Sequence, residues 1–203
     1  MNQSLGIFAM SQSLAQVWLH IVFSTKERRP FLQDDAVRDE MFRMLAYRVK
    51  EAKCFSASVG GHFDHVHLLV GLARTVTIAN LVEHIKTETS QWAKTAKNCS
   101  SRFSWQAGYA AFSVSHSQRG VVDKYIRNQG QHHQRLGFKD EFRAICKRHE
   151  IEIDERYAWD YPSRKRSLQA RRFGNLHSPG HRPGGRRPTR IPPSRGPKVR
   201  QFA

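Results

Sequence analysis

Two histidines in a strand-like stretch are the residues of this sequence best placed for chemistry. In Gly60-Gly61-His62-Phe63-Asp64-His65-Val66-His67-Leu68-Leu69-Val70-Gly71 the second half is a short apolar run closed by glycine, the pattern of a buried strand. Strand side chains alternate between faces, so Val66, Leu68 and Val70 share a core face while His65 and His67 project together from the other. Two imidazoles side by side can bridge a divalent cation. The same spacing also arises from hydrogen-bonded or solvent-facing structural histidines, of which a chain with 11 His has many chances. A metal reading therefore needs a third ligand and a group for the metal to assist. Both are offered by a predicted helix over 118–131, where Tyr125 and Gln129 fall one turn apart on one side. Over the histidine strand, Gln129 would complete a site with His65 and His67, and Tyr125 would reach a substrate atom. The alternative is a tyrosine packed at a helix-sheet interface beside a surface glutamine.

The remaining elements determine whether such an approach is feasible. Val17, Leu19, Ile21 and Phe23 alternate with Trp18, His20, Val22 and Ser24, which predicts a first strand over 16–24. His20 lies on the histidine side, either near the site or as a structural residue. Asp34 or Asp35 caps a helix to about Lys53 with Val37, Met41, Met44, Leu45 and Val49 on its inner stripe. A second strand is expected over 54–59, and Thr77 caps a second helix with Ile78, Leu81, Val82, Ile85 and Trp92 inside. A fourth strand spans 109–115. The order β-α-β-β-α-β predicts an α+β, ferredoxin-like antiparallel sheet with both long helices on one face and the tyrosine-bearing helix over the open one. A final helix over 142–150, with Phe142, Ile145 and Cys146 on one side, and the segment 151–161 would pack against this domain.

Composition sets the outer limits. The 203 residues hold 39% hydrophobic residues, enough for one core, which we place at 13–162, preceded by a loose extension over 1–12. Met10 is an alternative start. The segment 163–203 holds ten Arg, two Lys and no acidic residue, so it carries most of the formal +17; with six Pro and five Gly it is expected to be a disordered basic tail. Three cysteines far apart, with no Cys-x-x-Cys, favour reduced thiols and a cytoplasmic setting. No stretch has the length and apolarity of a membrane span or a signal peptide.

Taken together, Asp64-His65-Val66-His67-Leu68, Trp105-Gln106-x-Gly108-Tyr109, Phe112-Ser113-Val114-Ser115, Tyr125-Ile126-Arg127-Asn128-Gln129 and His132-His133 resemble the single-tyrosine, His-hydrophobe-His transposases of the insertion-sequence-200-like kind, including the relatives associated with repetitive extragenic palindromes. The resemblance runs from about Leu14 to Trp159. It implies cutting and rejoining of single-stranded DNA next to hairpins, with Tyr125 as nucleophile, His65, His67 and Gln129 as metal ligands, and Mg²⁺ or Mn²⁺ as the metal. It also implies a homodimer, in which the tyrosine helix of one subunit can serve the partner's histidines. His132 and His133 match common positions without an assigned role.

DNA would be gripped by basic side chains on phosphates and aromatic rings on unpaired bases. Lys26, Arg28, Arg29, Lys86, Lys124 and Arg127 are the basic candidates; Trp105, Tyr109 and Phe112 are the aromatic ones, with a place in the core as their alternative. The basic tail would hold nucleic acid through counterion release or be a weakly constrained extension. Two further readings stay open at this point, a domesticated nuclease that processes palindromes and a non-catalytic protein that binds hairpins.

Overall fold

The alternation in the first strand places it at the centre of the sheet. In the computed structural model, which describes residues 14–97 and 99–159, β1 (Val17–Ser24) is flanked by β3 (His65–Leu72) and β4 (Ala110–Val114), with β2 (Phe55–Gly61) beyond β3. The strand order is β2-β3-β1-β4 and every neighbouring pair is antiparallel. Helix α1 (Asp35–Glu51) connects β1 to β2, and α2 (Ile78–Thr95) connects β3 to β4. This is the expected ferredoxin-like α+β arrangement. The predicted N-terminal extension and basic tail lie outside the described residues. Among those described, no helix is long and apolar enough to cross a membrane.

One sheet face carries the main core. Leu19, Ile21 and Phe23 of β1 and Val66, Leu68 and Val70 of β3 pack in one cluster with the inner stripes of α1 (Met41, Leu45, Val49) and α2 (Leu81, Val82, Ile85). Both helices begin where their caps require. Asp34 Oδ1 accepts the Val37 N–H at 2.9 Å, and Thr77 Oγ1 accepts the Asn80 N–H at 3.1 Å. Trp105 belongs to this core, its ring edge-on to Phe23 and its Nε1–H donating to Thr89 Oγ1 at 2.9 Å. Phe112 is buried on the opposite face, against the His149 ring. Of the three aromatic candidates, Tyr109 alone is exposed.

The opposite face carries the histidines. His20, His65, His67 and Leu69 are covered by α3 (Arg119–Arg127), the single turn α4 (Gln129–His132) and α5 (Phe138–Arg148), with α6 (Glu155–Ala158) following. Three boundaries differ from the sequence expectation. β2 runs on through Gly60 and Gly61, which pair with His67 and Val66, past the end expected at residue 59. The helix expected over 118–131 breaks at Asn128 (φ −95°, ψ 13°), where Asn128 and nearby Gly130 are both poor helix formers. The last helix starts at Phe138, not Phe142, after Gly137 in extended conformation, with Asp140 and Glu141 in its first turn where the helix dipole favours acids.

Gly60 sets how closely α3 lies on the sheet. A Cβ at this position would stand well inside van der Waals contact of the Ile126 carbonyl oxygen and 3.1 Å from both the Ile126 carbonyl carbon and its Cγ2. Only hydrogen in place of that carbon lets the backbone of α3 rest on β2.

Candidate active site and metal centre

His65 and His67 are fully buried on β3, and each is held through its Nδ1. His65 Nδ1 lies 2.7 Å from Asp64 Oδ1, so the carboxylate accepts the Nδ1–H and leaves the Nε2 lone pair free. His67 Nδ1 lies 2.9 Å from His20 Nε2, one register step away on β1. Burial, reinforced by the neighbouring His67, lowers the pKa of His20 to about 3; burial lowers that of His67 to about 4. Both rings are therefore neutral near pH 7 and share one N–H···N hydrogen bond. Burial lowers the pKa of His65 too, against the raising effect of Asp64. The Nε2 atoms of His65 and His67 are buried without hydrogen-bond partners. Two neutral imidazoles that turn unpartnered Nε2 atoms inward suit a metal ion, which would select the Nδ1–H tautomer of each.

Opposite them stands Glu141 of α5, 1% exposed. Its Oε1 accepts hydrogen bonds from the Tyr125 O–H and from Gln129 Nε2–H, the latter at 2.8 Å. Its Oε2 lies 2.9 Å from His133 Nε2 and 3.6 Å from His65 Nε2; Oε1 lies 3.6 Å from His67 Nε2. Burial pushes this carboxyl up, but His133 and His67 beside it and the Tyr125 O–H outweigh that and hold it well below the usual carboxylate range. Donor atoms of His65, His67 and Glu141 all lie within 4.8 Å of one another, close enough for one divalent ion to reach all three. The orphaned Nε2 atoms and the buried carboxylate thus fit a metal, and a set of two imidazoles and one carboxylate suits hard or intermediate ions.

Tyr125 and Gln129 reach the same place despite the helix break between them. The Tyr125 ring stands edge-on to His67 at 5.9 Å and to His20 at 6.1 Å between centroids. Burial first, then the charge and hydrogen bond of Glu141, push its phenol above the ordinary tyrosine range. Gln129 is buried, its Nε2 on Glu141 and its Oε1 2.9 Å from His133 Nε2. His133, to which sequence assigned no role, closes the ring and anchors its Nδ1 on the Leu136 carbonyl at 2.9 Å. All of these groups belong to one chain.

The basic candidates scatter. Lys124 is beside Tyr125, lining with it and with Asn128, His132 and Arg135 a groove of about 780 Å³. Arg127 is on the same helix, paired with Asp123 at 3.0 Å. Lys26 and Arg28 form a short turn after β1, next to the start of β3, where Arg29 pairs with Glu27 at 2.5 Å. Lys86 donates to the carbonyls of Gln106, Ala107 and Gly108 and lies over the Phe23 ring, which gives it a structural task.

Glu141 escaped the sequence reading because the last helix was begun too late. Once α5 starts at Phe138, Glu141 lies on the stripe of Phe138, Ile145 and Cys146, and a carboxylate on an apolar stripe is a signal in itself.

The family described as Transposase IS200 like matches residues 13–129, a span that holds His65, His67, Tyr125 and Gln129 and stops short of Glu141. Among solved structures, a proposed transposase from Deinococcus radiodurans R1 is similar, with 21% identity and a TM-score of 0.45, over 64% of this chain and 98% of that one. A tyrosine transposase associated with REP sequences, bound to a REP hairpin, has 16% identity and a TM-score of 0.45, over 63% of this chain and 76% of the other. No curated protein matches the chain.

Proposed function

The chain belongs to the IS200-like transposase family, enzymes of DNA transposition, and on that footing we propose that it cuts and rejoins single-stranded DNA beside hairpins through a covalent tyrosine intermediate. The observation that carries this reading is the convergence of the Tyr125 phenol, two orphaned imidazole nitrogens and a buried carboxylate in one pocket.

In this reading the strand lies along the groove beside Tyr125, where Lys124 and Arg135 grip its phosphates and orient the scissile one toward the histidine face. The Tyr125 oxygen attacks phosphorus. The bond from phosphorus to the 3′ oxygen breaks, leaving a 5′-phosphotyrosine and a free 3′-hydroxyl. One phosphoester replaces another, so a second 3′-hydroxyl can reverse the step at a new junction without a nucleotide cofactor. Glu141 Oε1 is the acceptor already aligned with the phenolic proton, and the buried wall of His20, His67 and Ile126 keeps bulk water from the rear of the pocket. A Mg²⁺ or Mn²⁺ ion held by His65 and His67, with the third side closed by Gln129 and Glu141, would supply the positive charge that a phosphodiester and a phenolate both need. The homodimer implied by the family resemblance would carry two such sites, each made by its own chain.

Covalent trapping tests the reading. Labelled single-stranded hairpin DNA from the flanks of the gene is incubated with the full chain and Mg²⁺ or Mn²⁺, and the products are run on a denaturing gel beside Tyr125→Phe and His65→Ala. A metal-dependent adduct that is lost in both variants is the expected result. Tight hairpin binding without adduct or cleavage under either metal would make this a binding protein and remove the nucleophilic role of Tyr125.

A further inference from the structure

Glu141 lies outside the span that matches the family, yet six side chains of the pocket point at it. We propose that Glu141 is the third metal ligand of this protein and that its other oxygen holds the nucleophile, so that one carboxylate joins the metal centre to Tyr125. The inference rests on the metal-dependent reading above and assigns Gln129 and His133 to positioning Glu141.

Charge is the first argument. Glu141 is 1% exposed, and among the described residues its ion-pair neighbours are all histidines, with no lysine or arginine. His133 meets only acceptors at its two ring nitrogens, Leu136 C=O on one side and Gln129 Oε1 with Glu141 Oε2 on the other, so it donates from both and partly offsets the cost of burying the carboxylate. A divalent ion on two neutral histidines lacks a negative charge. Among the described residues Glu141 is the one buried carboxylate beside them that can supply it.

The second argument is the division of the carboxylate. Oε1 takes the Tyr125 O–H and the Gln129 amide and lies 3.6 Å from His67 Nε2, whereas Oε2 lies 2.9 Å from His133 Nε2 and 3.6 Å from His65 Nε2. Among the described residues the Nε2 atoms of both histidines lack a hydrogen-bond partner and face this carboxylate, and one cation between them would satisfy all three groups together.

The third argument concerns Gln129. A carboxylate only accepts hydrogen bonds, so the amide nitrogen must face Glu141, and this turns the amide oxygen to His133. The one Gln129 atom able to bind a metal is thus spent, and Gln129 acts on the site by fixing the carboxylate, as outer-shell partners of ligands do.

Metal affinity, free of any DNA chemistry, decides the assignment. Mn²⁺ is titrated into the full chain and free Mn²⁺ is read from its paramagnetic resonance signal, for the unmodified protein and for Glu141→Gln, Glu141→Asp, Gln129→Ala, Tyr125→Phe and His65→Ala, each checked by circular dichroism. We expect Glu141→Gln to weaken Mn²⁺ about 100-fold or more, and Gln129→Ala about 10-fold, in line with outer-shell losses. Tyr125→Phe should tighten Mn²⁺ roughly threefold, because the phenol no longer draws on the carboxylate; binding couplings are reciprocal. Should Glu141→Gln not fold, Glu141→Asp carries the test: a carboxylate set back by one methylene should still weaken Mn²⁺ at least about 10-fold. Near-normal affinity in the Glu141 variants with loss in Gln129→Ala would overturn the assignment and make Gln129 the ligand. An affinity unmoved by Tyr125→Phe would remove the link to the nucleophile. His65→Ala separates the two levels: Mn²⁺ binding that survives it sinks the metal site as a whole, and the assignment of Glu141 falls with it.

Discussion

Replacing Gly60 by alanine tests whether Tyr125, the proposed nucleophile, is placed by backbone contact. The added Cβ would meet the Ile126 carbonyl group, backbone on backbone, with no flexible side chain to yield. To restore ordinary contact, α3 must lift from β2 by about 1 Å, and Tyr125 is the residue just before Ile126. A misplacement of that size at a reacting group costs on the order of 100-fold in rate. The overpacking itself should cost about 1–3 kcal/mol of stability. Gly120 is the internal control, since it is on the same helix and a Cβ there meets nothing within 4 Å. Single-turnover cleavage of a hairpin substrate, with thermal melting alongside, reads both quantities. We expect Gly60→Ala to cleave about 100-fold more slowly while Gly120→Ala matches the unmodified protein. A Gly60→Ala variant that folds and cleaves within about threefold of normal would refute the claim that this contact positions the tyrosine.

Other outcomes follow from the same geometry. His20 and His67 are neutral in the fold, with pKa values near about 3 and about 4 against an ordinary 6.5, so the unfolded chain binds more protons below pH 6.5. Stability of the metal-free protein should be full above that pH and fall as it drops from 6.5 toward 4, by roughly 2–4 kcal/mol at pH 5, measured by urea melts. His20→Phe keeps a ring in place but removes the nitrogen that His67 Nδ1 bonds; Mn²⁺ affinity should drop about 10- to 100-fold with the fold intact by circular dichroism. Met41→Ala empties a fully buried site in the core on the far side of the sheet. It should cost about 2–5 kcal/mol in chemical melts and leave the cleavage rate of the folded fraction unchanged.

The sheet and the two long helices were legible because each has a period that sequence displays. Val17–Ser24 alternates, α1 and α2 carry stripes, and Asp34 and Thr77 stand where caps belong. His65 and His67 were legible for the same reason, since alternation alone sends them to the face away from Val66 and Leu68. Tyr125 and Gln129 came together as expected, although the break at Asn128 means that tertiary packing, not a continuous helix, aligns them. What remained hidden depends on pairs distant in the chain. His20 meets His67 only because β1 pairs with β3, and Glu141 meets the histidines only because α5 folds back over the sheet. Lys86 reads as a surface cation until the turn after residue 105 supplies the carbonyls that claim it. Periodicity reports which face a residue takes, and is silent on which residue of another element waits there.

The two sheet faces are unequally held. The face under α1 and α2 rests on a large continuous cluster, whereas α3 and α5 are fastened by two small ones, centred on Val22 and Phe112 and on Trp18, Leu69 and Ile126. Local opening follows the weaker attachment, so amide hydrogens of α3 and α5 should exchange with solvent before those of β1 and β3. Tyr125, Gln129 and Glu141 ride on the looser layer and both strand histidines on the firmer one. The constellation can therefore come apart and reassemble while the sheet stays folded, so heat would silence the site before it melts the protein.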